Sequence, residues 1–266
     1  MSDKVQVAIL AGGLGMRLRE QTEFRPKPMV EVAGKPILWH IMKSYSHYGF
    51  NDFTVCLGYM GEVIKDYFYH YAIRSADIRV HLGQEDHRVE MLRKADAEPW
   101  TVSLVDTGMR TMTGGRLKRI EPYIDADYLM VTYGDGVANV NLQKLLEFHK
   151  SHGKVATVTG VSPPSRFGQL TTDENHIVTD FSEKPVMGDS LINGGFFCFS
   201  LPTFFDYVSA DEGCVFEREP LENLARDREL AVYEHRDFWQ CMDTLRDVQL
   251  LNEIWNSGNP PWKVWD

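Results

Sequence analysis

The strongest constraint on the fold is a regular alternation between short apolar runs and longer amphipathic stretches. Residues 5–10 form a short apolar run that stops at an Ala-Gly-Gly turn, a pattern typical of a strand buried on both faces. Pro36 then opens a stretch to Tyr48 whose apolar residues share one helical face. Because buried strands separated by amphipathic helices form parallel sheets, the pattern predicts an α/β fold: a Rossmann-like, mostly parallel sheet with helices on both faces.

The alternation continues and sets the other expected elements. It predicts strands at 53–57, 78–82, 128–133, 155–161 and 230–233, and helices at 62–71, 141–151, from about 217, and at 245–255. After residue 168, short runs at 170–172, 177–181 and 196–199 suggest small antiparallel insertions beside the sheet.

One stretch does not follow the alternation. Residues 83–117 are polar and irregular, which is typical of an arm, a lid or an oligomer contact. A chain of 266 residues can still be organised by one core. We therefore expect a single domain over residues 1–266, with this insertion at about 83–117.

The net charge of -10 argues against the protein classes that bind anionic surfaces. Nucleic acids and anionic membranes are bound by concentrated Lys and Arg, whereas this chain is acidic as a whole. Its cations are concentrated locally, at Arg17, Arg19, Arg25 and Lys27. We expect no nucleic-acid partner and no membrane partner, but a local site for a phosphate-bearing ligand.

Cysteine usage and hydropathy indicate the compartment. The four cysteines stand far apart without C-x-x-C spacing, and three of them lie in apolar surroundings typical of buried thiols. The N-terminus has no long apolar segment, and no window approaches the ~20 apolar residues that a membrane span needs. We expect a cytoplasmic protein without a membrane anchor.

The segment from Leu10 to Leu38 carries the most chemical information. It places three glycines directly after the first strand, followed by Arg17 and Lys27. Glycines let the backbone approach a polyphosphate and present N–H groups to it, and the two cations would add charge-assisted contacts to the same oxygens. The segment is neither a Walker A loop, which needs Gly-Lys-Ser/Thr, nor a dinucleotide fingerprint, which needs a third glycine where Leu18 stands.

Two aspartates in short motifs are candidate metal ligands. Asp135, in TYGDG, comes directly after the apolar run at 128–133, so it lies at the carboxyl end of a strand, where open α/β sheets bind ligands. Asp243, in MDT, stands far along the chain. Taken alone, Asp135 could be a turn residue and Asp243 a helix cap.

Motifs spread over nearly the whole chain resemble one enzyme family. They are GGLGMRL and RPKPM near the start, LVDTG and MTGGRLKRI within 104–120, TYGDGVA at 132–138, RFGQL at 166, EKP at 183, INGGFF at 192, FWQCMDTLRD at 238 and PPWKVWD at the end. Together they resemble the sugar-1-phosphate nucleotidyltransferases, and most closely the glucose-1-phosphate cytidylyltransferases that make CDP-glucose. The resemblance implies a fold of the nucleotide-diphospho-sugar transferase type.

The resemblance also implies roles for particular residues. Arg17, Lys27 and Asp135 would be catalytic, and Asp135 would share a Mg²⁺ cofactor with Asp243, which suits an ion that takes one or two protein carboxylates. The nucleotide would contact Leu10, Ala11, Gly12, Gly13, Gly15, Met16, Arg17, Lys27, Thr113, Arg116 and Asp135, with Arg116 near the cytosine base. The sugar phosphate would contact Gly168, Glu183, Lys184, Asn193 and Gly194.

The implied reaction joins CTP and α-D-glucose 1-phosphate into CDP-glucose and pyrophosphate. A sugar phosphate with a second pKa of about 6 is largely dianionic at neutral pH, so its oxygen can attack the α-phosphorus in line without a side-chain base. The implied partners are these two substrates and further copies of the chain, as a trimer or hexamer. The same chemistry with UTP, dTTP or another sugar phosphate is one alternative, and a non-catalytic regulator that binds sugar nucleotides is another.

Met16, a pair of histidines and the closing tryptophans each lead to one further expectation. Relatives carry Thr or Ser where this chain has Met16, so binding strength or sugar choice could differ here. The motif His149-x-x-His152 has helical spacing but no nearby Cys or carboxylate, so we interpret it as a satisfied or surface pair. The closing aromatics are expected to pack or to contact a subunit; they are Trp255, Trp262 and Trp265.

Overall fold

A computed structural model describes residues 3–82, 89–93, 98–162, 169–174, 176–182 and 191–265. Its strands are β1 Val5–Leu10, β2 Glu31–Val32, β3 Lys35–Pro36, β4 Asp52–Leu57, β5 Ile78–Val80, β6 Val89–Met91, β7 Thr101–Asp106, β8 Tyr128–Tyr133, β9 Gly136–Ala138, β10 Ala156–Val161, β11 Gln169–Thr172, β12 Val178–Ser182, β13 Ile192–Ser200, β14 Leu230–His235 and β15 Trp239–Cys241. Its helices are α1 Arg19–Thr22, α2 Ile37–His47, α3 Gly61–Tyr69, α4 Tyr71–Arg74, α5 Thr113–Ile120, α6 Leu142–His152, α7 Glu219–Arg226 and α8 Leu245–Asn256.

Seven strands form the central sheet, in the order β14-β10-β13-β8-β1-β4-β7. Neighbouring strands pair in parallel except at β13, which runs antiparallel to both β10 and β8. β1 lies between β4 and β8, with Ala8 opposite Thr54 on one side and Val131 on the other. The predicted mostly parallel sheet is confirmed.

The sheet separates two hydrophobic cores. Along β1, Val7 and Ile9 pack in one core with residues of α2, α6 and α8, whereas Ala8 and Leu10 pack in the other with residues of α5 and α7. Successive side chains of a strand point to opposite faces, so an apolar run is needed when both faces are covered. The predicted helices on both faces of the sheet are confirmed.

The predicted insertion at 83–117 is too long. Thr101–Asp106 is β7, which pairs in parallel with β4 at the edge of the central sheet, and the helix α5 begins at Thr113. β7 alternates polar and apolar residues and is only half buried, because an edge strand is less completely covered than a central one. Because of this mixed composition, β7 was not predicted from the sequence. The single-domain assignment stays a prediction.

Two other predicted strands are present, but their positions relative to the central sheet differ from the prediction. β5, within the predicted strand 78–82, pairs with β6 in a separate hairpin and is not part of the central sheet. Residues 196–199 belong to the nine-residue β13, which lies in the middle of the sheet and not beside it. The glycines at its start, of which Gly195 has a φ of 78°, made this strand read as a short piece after a turn. The predicted antiparallel pair after residue 168 is present as β11 and β12.

The paired histidines and closing tryptophans are structural. His149 Nδ1 lies 2.8 Å from Thr157 Oγ1 and its Nε2 lies 3.0 Å from Ser200 Oγ, which confirms that it is a satisfied core histidine. Trp262 is fully buried and stacks on Phe238. Trp255 and Trp265 also contact His40, so the predicted packing role is confirmed.

Candidate active site

A cavity of about 680 Å³ opens at the carboxyl ends of β1 and β8. Open α/β sheets bind ligands at this edge. Every residue predicted to bind the nucleotide lines the cavity: Leu10, Ala11, Gly12, Gly13, Gly15, Met16, Arg17, Lys27, Thr113, Arg116 and Asp135. The sequence did not assign roles to Tyr133 and to the loop of Met109, Arg110 and Thr111, which also line it.

The glycine turn after β1 forms one wall of the cavity. Gly15 has a φ of 62°, a conformation that favours glycine, and its carbonyl accepts a hydrogen bond from Leu18 N–H at 2.9 Å. A Cβ on Gly12 would overlap the guanidinium of Arg116. The turn can therefore approach Arg116 this closely only because residue 12 has no side chain. The Met16 side chain is 78% exposed beside this turn.

Arg116 connects the glycine turn to the ends of β4 and β7 beside the cavity. Its guanidinium donates to the carbonyl oxygens of Leu57 and Gly108 at 2.8 Å and of Gly12 at 2.9 Å, and to Thr107 Oγ1 at 2.8 Å. The residue is 4% exposed, and burial lowers its pKa. The ordinary pKa of a guanidinium is so high that the side chain nevertheless stays charged. A buried cation held by backbone carbonyls fixes the glycine turn against the loop that follows β7.

The two candidate metal ligands meet at one ammonium group. Lys27 Nζ donates to Asp135 Oδ2 at 2.5 Å and to Asp243 Oδ1 at 2.6 Å. Arg17 Nη1 donates to the other oxygen of Asp243 at 2.7 Å, from a side chain that is mostly exposed. Both carboxylates therefore converge on a single point of positive charge at the cavity.

Backbone hydrogen bonds bring these distant aspartates together. Met242 N–H donates to the carbonyl of Asp135 at 2.8 Å, and β9 pairs with β15 in register just after Asp135. Asp243 then precedes α8, where the side chains of Thr244 and Asp247 form a capping box. Asp247 Oδ2 also accepts from the N–H of Asp243 at 3.0 Å. Thr244, and not Asp243, is the N-cap of this helix.

The electrostatics keep Lys27 and Asp243 charged at neutral pH. Burial alone would lower the pKa of Lys27, but Asp135 and Asp243 outweigh it and raise that pKa above its ordinary value. Burial would likewise raise the pKa of Asp243, yet Lys27 and then Arg17 hold it below its ordinary value. An ammonium and a carboxylate that stay ionised together are suited to binding a charged ligand.

The chemistry of these donors fits a divalent ion. Within the described residues, no cluster of three or more His, Cys, Asp or Glu side chains could hold a metal by itself. Mg²⁺ commonly takes one or two carboxylates and completes its shell with water and substrate phosphates. Asp135 and Asp243 supply two carboxylates that already approach one cationic centre, and their partner Lys27 lines the cavity beside the glycine turn.

A second, smaller cavity adjoins the first. It has a volume of about 50 Å³ and is lined by Tyr133, Asp135, Asn193, Gly194 and Trp239, among others. Trp239 Nε1 donates to the carbonyl of Gly194 at 2.7 Å. Two of the residues predicted to contact the sugar phosphate thus lie next to Asp135, one of the two candidate metal ligands. The other three, Gly168, Glu183 and Lys184, lie outside the described residues.

Comparison with known proteins agrees with this geometry. The model of the nucleotidyl transferase family matches residues 6–249. The chain belongs to this family. Glucose-1-phosphate cytidylyltransferase of Salmonella typhi is 49% identical over 263 residues, which are 98% of this chain and 100% of that protein. The probable glucose-1-phosphate cytidylyltransferase of Bacillus subtilis is 45% identical over 261 residues, 98% of this chain and 100% of that protein.

Solved structures show the same fold. HddC from Yersinia pseudotuberculosis superposes with a TM-score of 0.65 and 22% sequence identity, covering 95% of this chain and 99% of that one. Identity at that level supports the architecture alone. Family membership makes this protein a nucleotidyltransferase, an enzyme class that generally uses a divalent metal ion. None of the helices in the described parts of the chain is long and apolar enough to span a bilayer.

Proposed function

We propose that this nucleotidyltransferase transfers the cytidylyl group of CTP to α-D-glucose 1-phosphate, which gives CDP-glucose and pyrophosphate. The observation that carries the proposal is the convergence of Asp135 and Asp243 on Lys27 beside the glycine turn. Relatives that carry this activity in their names match at 45–49% identity over essentially their whole length. Such coverage supports the same base and the same sugar.

The proposed catalytic work is positioning and neutralisation of charge. Asp135 and Asp243 would hold Mg²⁺, which would supply positive charge to the substrate phosphates. The N–H groups of the glycine turn face the triphosphate, and Arg17 and Lys27 stabilise the negative charge that passes to the leaving pyrophosphate. Thr113 and Arg116 line the same cavity, which supports their proposed position near the base.

The sugar phosphate acts as its own nucleophile. Its oxygen is already deprotonated at neutral pH, so it forms the new bond to the α-phosphorus while the bond to the bridging oxygen of pyrophosphate breaks. No described side chain has to remove a proton. Asn193 and Gly194 line the adjoining cavity, which supports their proposed contact with the sugar. Gly168, Glu183 and Lys184 are proposed to complete that contact.

A matrix of substrates tests the proposal. Purified protein is assayed with CTP, UTP, dTTP and GTP against several sugar 1-phosphates, with Mg²⁺ present and pyrophosphate release as the readout. We expect efficient turnover only for CTP with glucose 1-phosphate. Efficient use of UTP or dTTP without CTP would assign a different base, and the absence of turnover with every pair would contradict the catalytic role. The cytoplasmic location and the trimeric or hexameric state stay predictions, which fractionation and light scattering address.

A further inference from the structure

Glu217 accepts hydrogen bonds from two hydroxyl groups that belong to different elements. Tyr133, the last residue of β8, donates through its phenol oxygen at 2.5 Å, and Thr113, the first residue of α5, donates at 2.7 Å. Hydrogen bonds to an ionised acceptor are stronger than those between neutral groups. The carboxylate therefore joins the end of a central strand to the start of a helix at the cavity.

The connection continues from Tyr133 to Asn193. Asn193 Nδ2 donates to the tyrosine oxygen at 3.3 Å, and Asn193 Oδ1 accepts from Gly195 N–H at 2.8 Å. A phenol carries one hydrogen, and Glu217 receives it, so the same oxygen must accept from the amide. This direction fixes which end of the Asn193 amide points toward Tyr133. Without the carboxylate, the tyrosine hydroxyl is free to rotate and to donate elsewhere.

The backbone around Glu217 is held in place. Phe216, immediately before it, is fully buried in the core that faces α5 and α7, and its N–H donates to Thr113 Oγ1 at 2.9 Å. The carbonyl of Cys214 accepts a hydrogen bond from Gly114 N–H at 2.9 Å. Glu217 is therefore presented from an anchored segment, unlike an acidic residue on a loose surface loop.

Tyr133 is the member of this chain of contacts that faces the substrates. It lines both the large cavity and the small one, whereas Glu217 is absent from the described lining of either. The Tyr133 phenol has one hydrogen, and it donates this hydrogen to Glu217 Oε1. A protonated phenol can hold the donor role that the geometry requires.

We propose that Glu217 is a positioning residue that, through the Tyr133 hydroxyl, sets the orientation of the Asn193 amide toward the sugar. The location of the sugar at Asn193 rests on the proposed function; the link between Glu217 and Tyr133 does not. The carboxylate touches no substrate. It acts by restricting the rotation of the Tyr133 hydroxyl and of the Asn193 amide.

Steady-state kinetics of four proteins test the sugar effect: wild type, Glu217→Ala, Tyr133→Phe and the double variant, each with the sugar 1-phosphate that the wild type uses best. Alanine leaves no acceptor for the Tyr133 hydroxyl, so each single change is expected to raise KM for the sugar phosphate about fivefold to tenfold, the effect of losing one hydrogen bond, with kcat changed less than twofold. The double variant is expected to show no further increase, since both changes break one connection. Glu219→Ala, at an exposed acid at the start of α7, is the matched control.

Two outcomes would overturn the inference. One is an unchanged KM for the sugar phosphate in Glu217→Ala, and the other is effects of the two single changes that multiply in the double variant. If the wild type uses no sugar 1-phosphate, the proposed function fails, and urea unfolding of the same four proteins decides the link. Losses of unfolding free energy that are less than additive support it, and additive losses overturn it.

Discussion

At the scale of single residues, the site is organised by shared charges. Lys27 is 9% exposed and lies between two carboxylates, and Arg17 pairs with one of them. Removing one member of such a buried group leaves the others uncompensated. The same positive charge that the triphosphate would meet thus also keeps Asp135 and Asp243 close together.

Lys27→Met is expected to lower kcat at least about 10²-fold, because the change removes a cation that stabilises the departing pyrophosphate. Steady-state assays of pyrophosphate release measure the effect. Lys144→Met, an exposed lysine of α6, is the control and should retain wild-type turnover. Near-normal kcat in a folded Lys27→Met protein would remove Lys27 from the catalytic group.

At the scale of elements, the cap of α8 determines where Asp243 lies. Asp247 Oδ2 accepts from the N–H groups of Asp243 and Thr244 and from the Thr244 hydroxyl, at 2.8–3.0 Å. These bonds satisfy free donors at the helix start and fix the residue before it. A helix terminus therefore serves both stability and the metal-ligand position.

Asp247→Ala is expected to reduce the unfolding free energy by about 1 kcal/mol through loss of the cap, and to reduce turnover about tenfold because Asp243 loses its support. Urea unfolding and the pyrophosphate assay measure the two effects. Glu253→Ala, an exposed acid near the end of the same helix, is the control. A loss of stability with unchanged turnover would show that Asp243 is positioned without the cap.

Which elements could be predicted from the sequence depended on how they are buried. β1 and β8 are covered on both faces, so their apolar runs identified them, and the glycine turn and TYGDG marked the cavity at their ends. β7 is half buried at an edge and lacks such a run. β13 runs antiparallel to both of its neighbours, and composition does not reveal the direction of a strand.

Site contacts that join distant parts of the chain were also beyond the sequence. Glu217 and Tyr133 stand 84 residues apart, and a single exposed acid carries no local pattern that would mark it. Arg116 was placed near the base by its motif, but its bonds to the carbonyls of Gly12, Leu57 and Gly108 depend on three separate segments of the chain. Only the folded backbone brings these acceptors to one guanidinium.

At the scale of the whole molecule, two buried histidines make stability depend on pH. His40 and His149 are at most 1% exposed, and burial lowers the pKa of each to about 4. In the unfolded chain a histidine has a pKa of about 6.5. Between these values the unfolded state binds more protons than the folded state, so stability falls as the pH decreases from about 6.5 toward 4.

We expect the unfolding free energy to decrease steadily between pH 7 and pH 5 in the wild type, with a shallower slope in His149→Gln. That variant is less stable at pH 7, but it no longer takes up the proton that His149 binds on unfolding. Urea unfolding at several pH values measures the slope. His47→Gln, an exposed histidine on α2, is the control for a position outside the core, and an equal change of slope there would contradict the assignment to burial.

The order of the elements along the chain has a consequence for biosynthesis. All seven strands of the central sheet have been translated once the ribosome passes His235, but Asp243 and the α8 cap are still to come. The two carboxylates can therefore meet at Lys27 only after every strand of the central sheet has been translated. A product released early at that stage would lack one of the two, so the candidate site is completed late in synthesis.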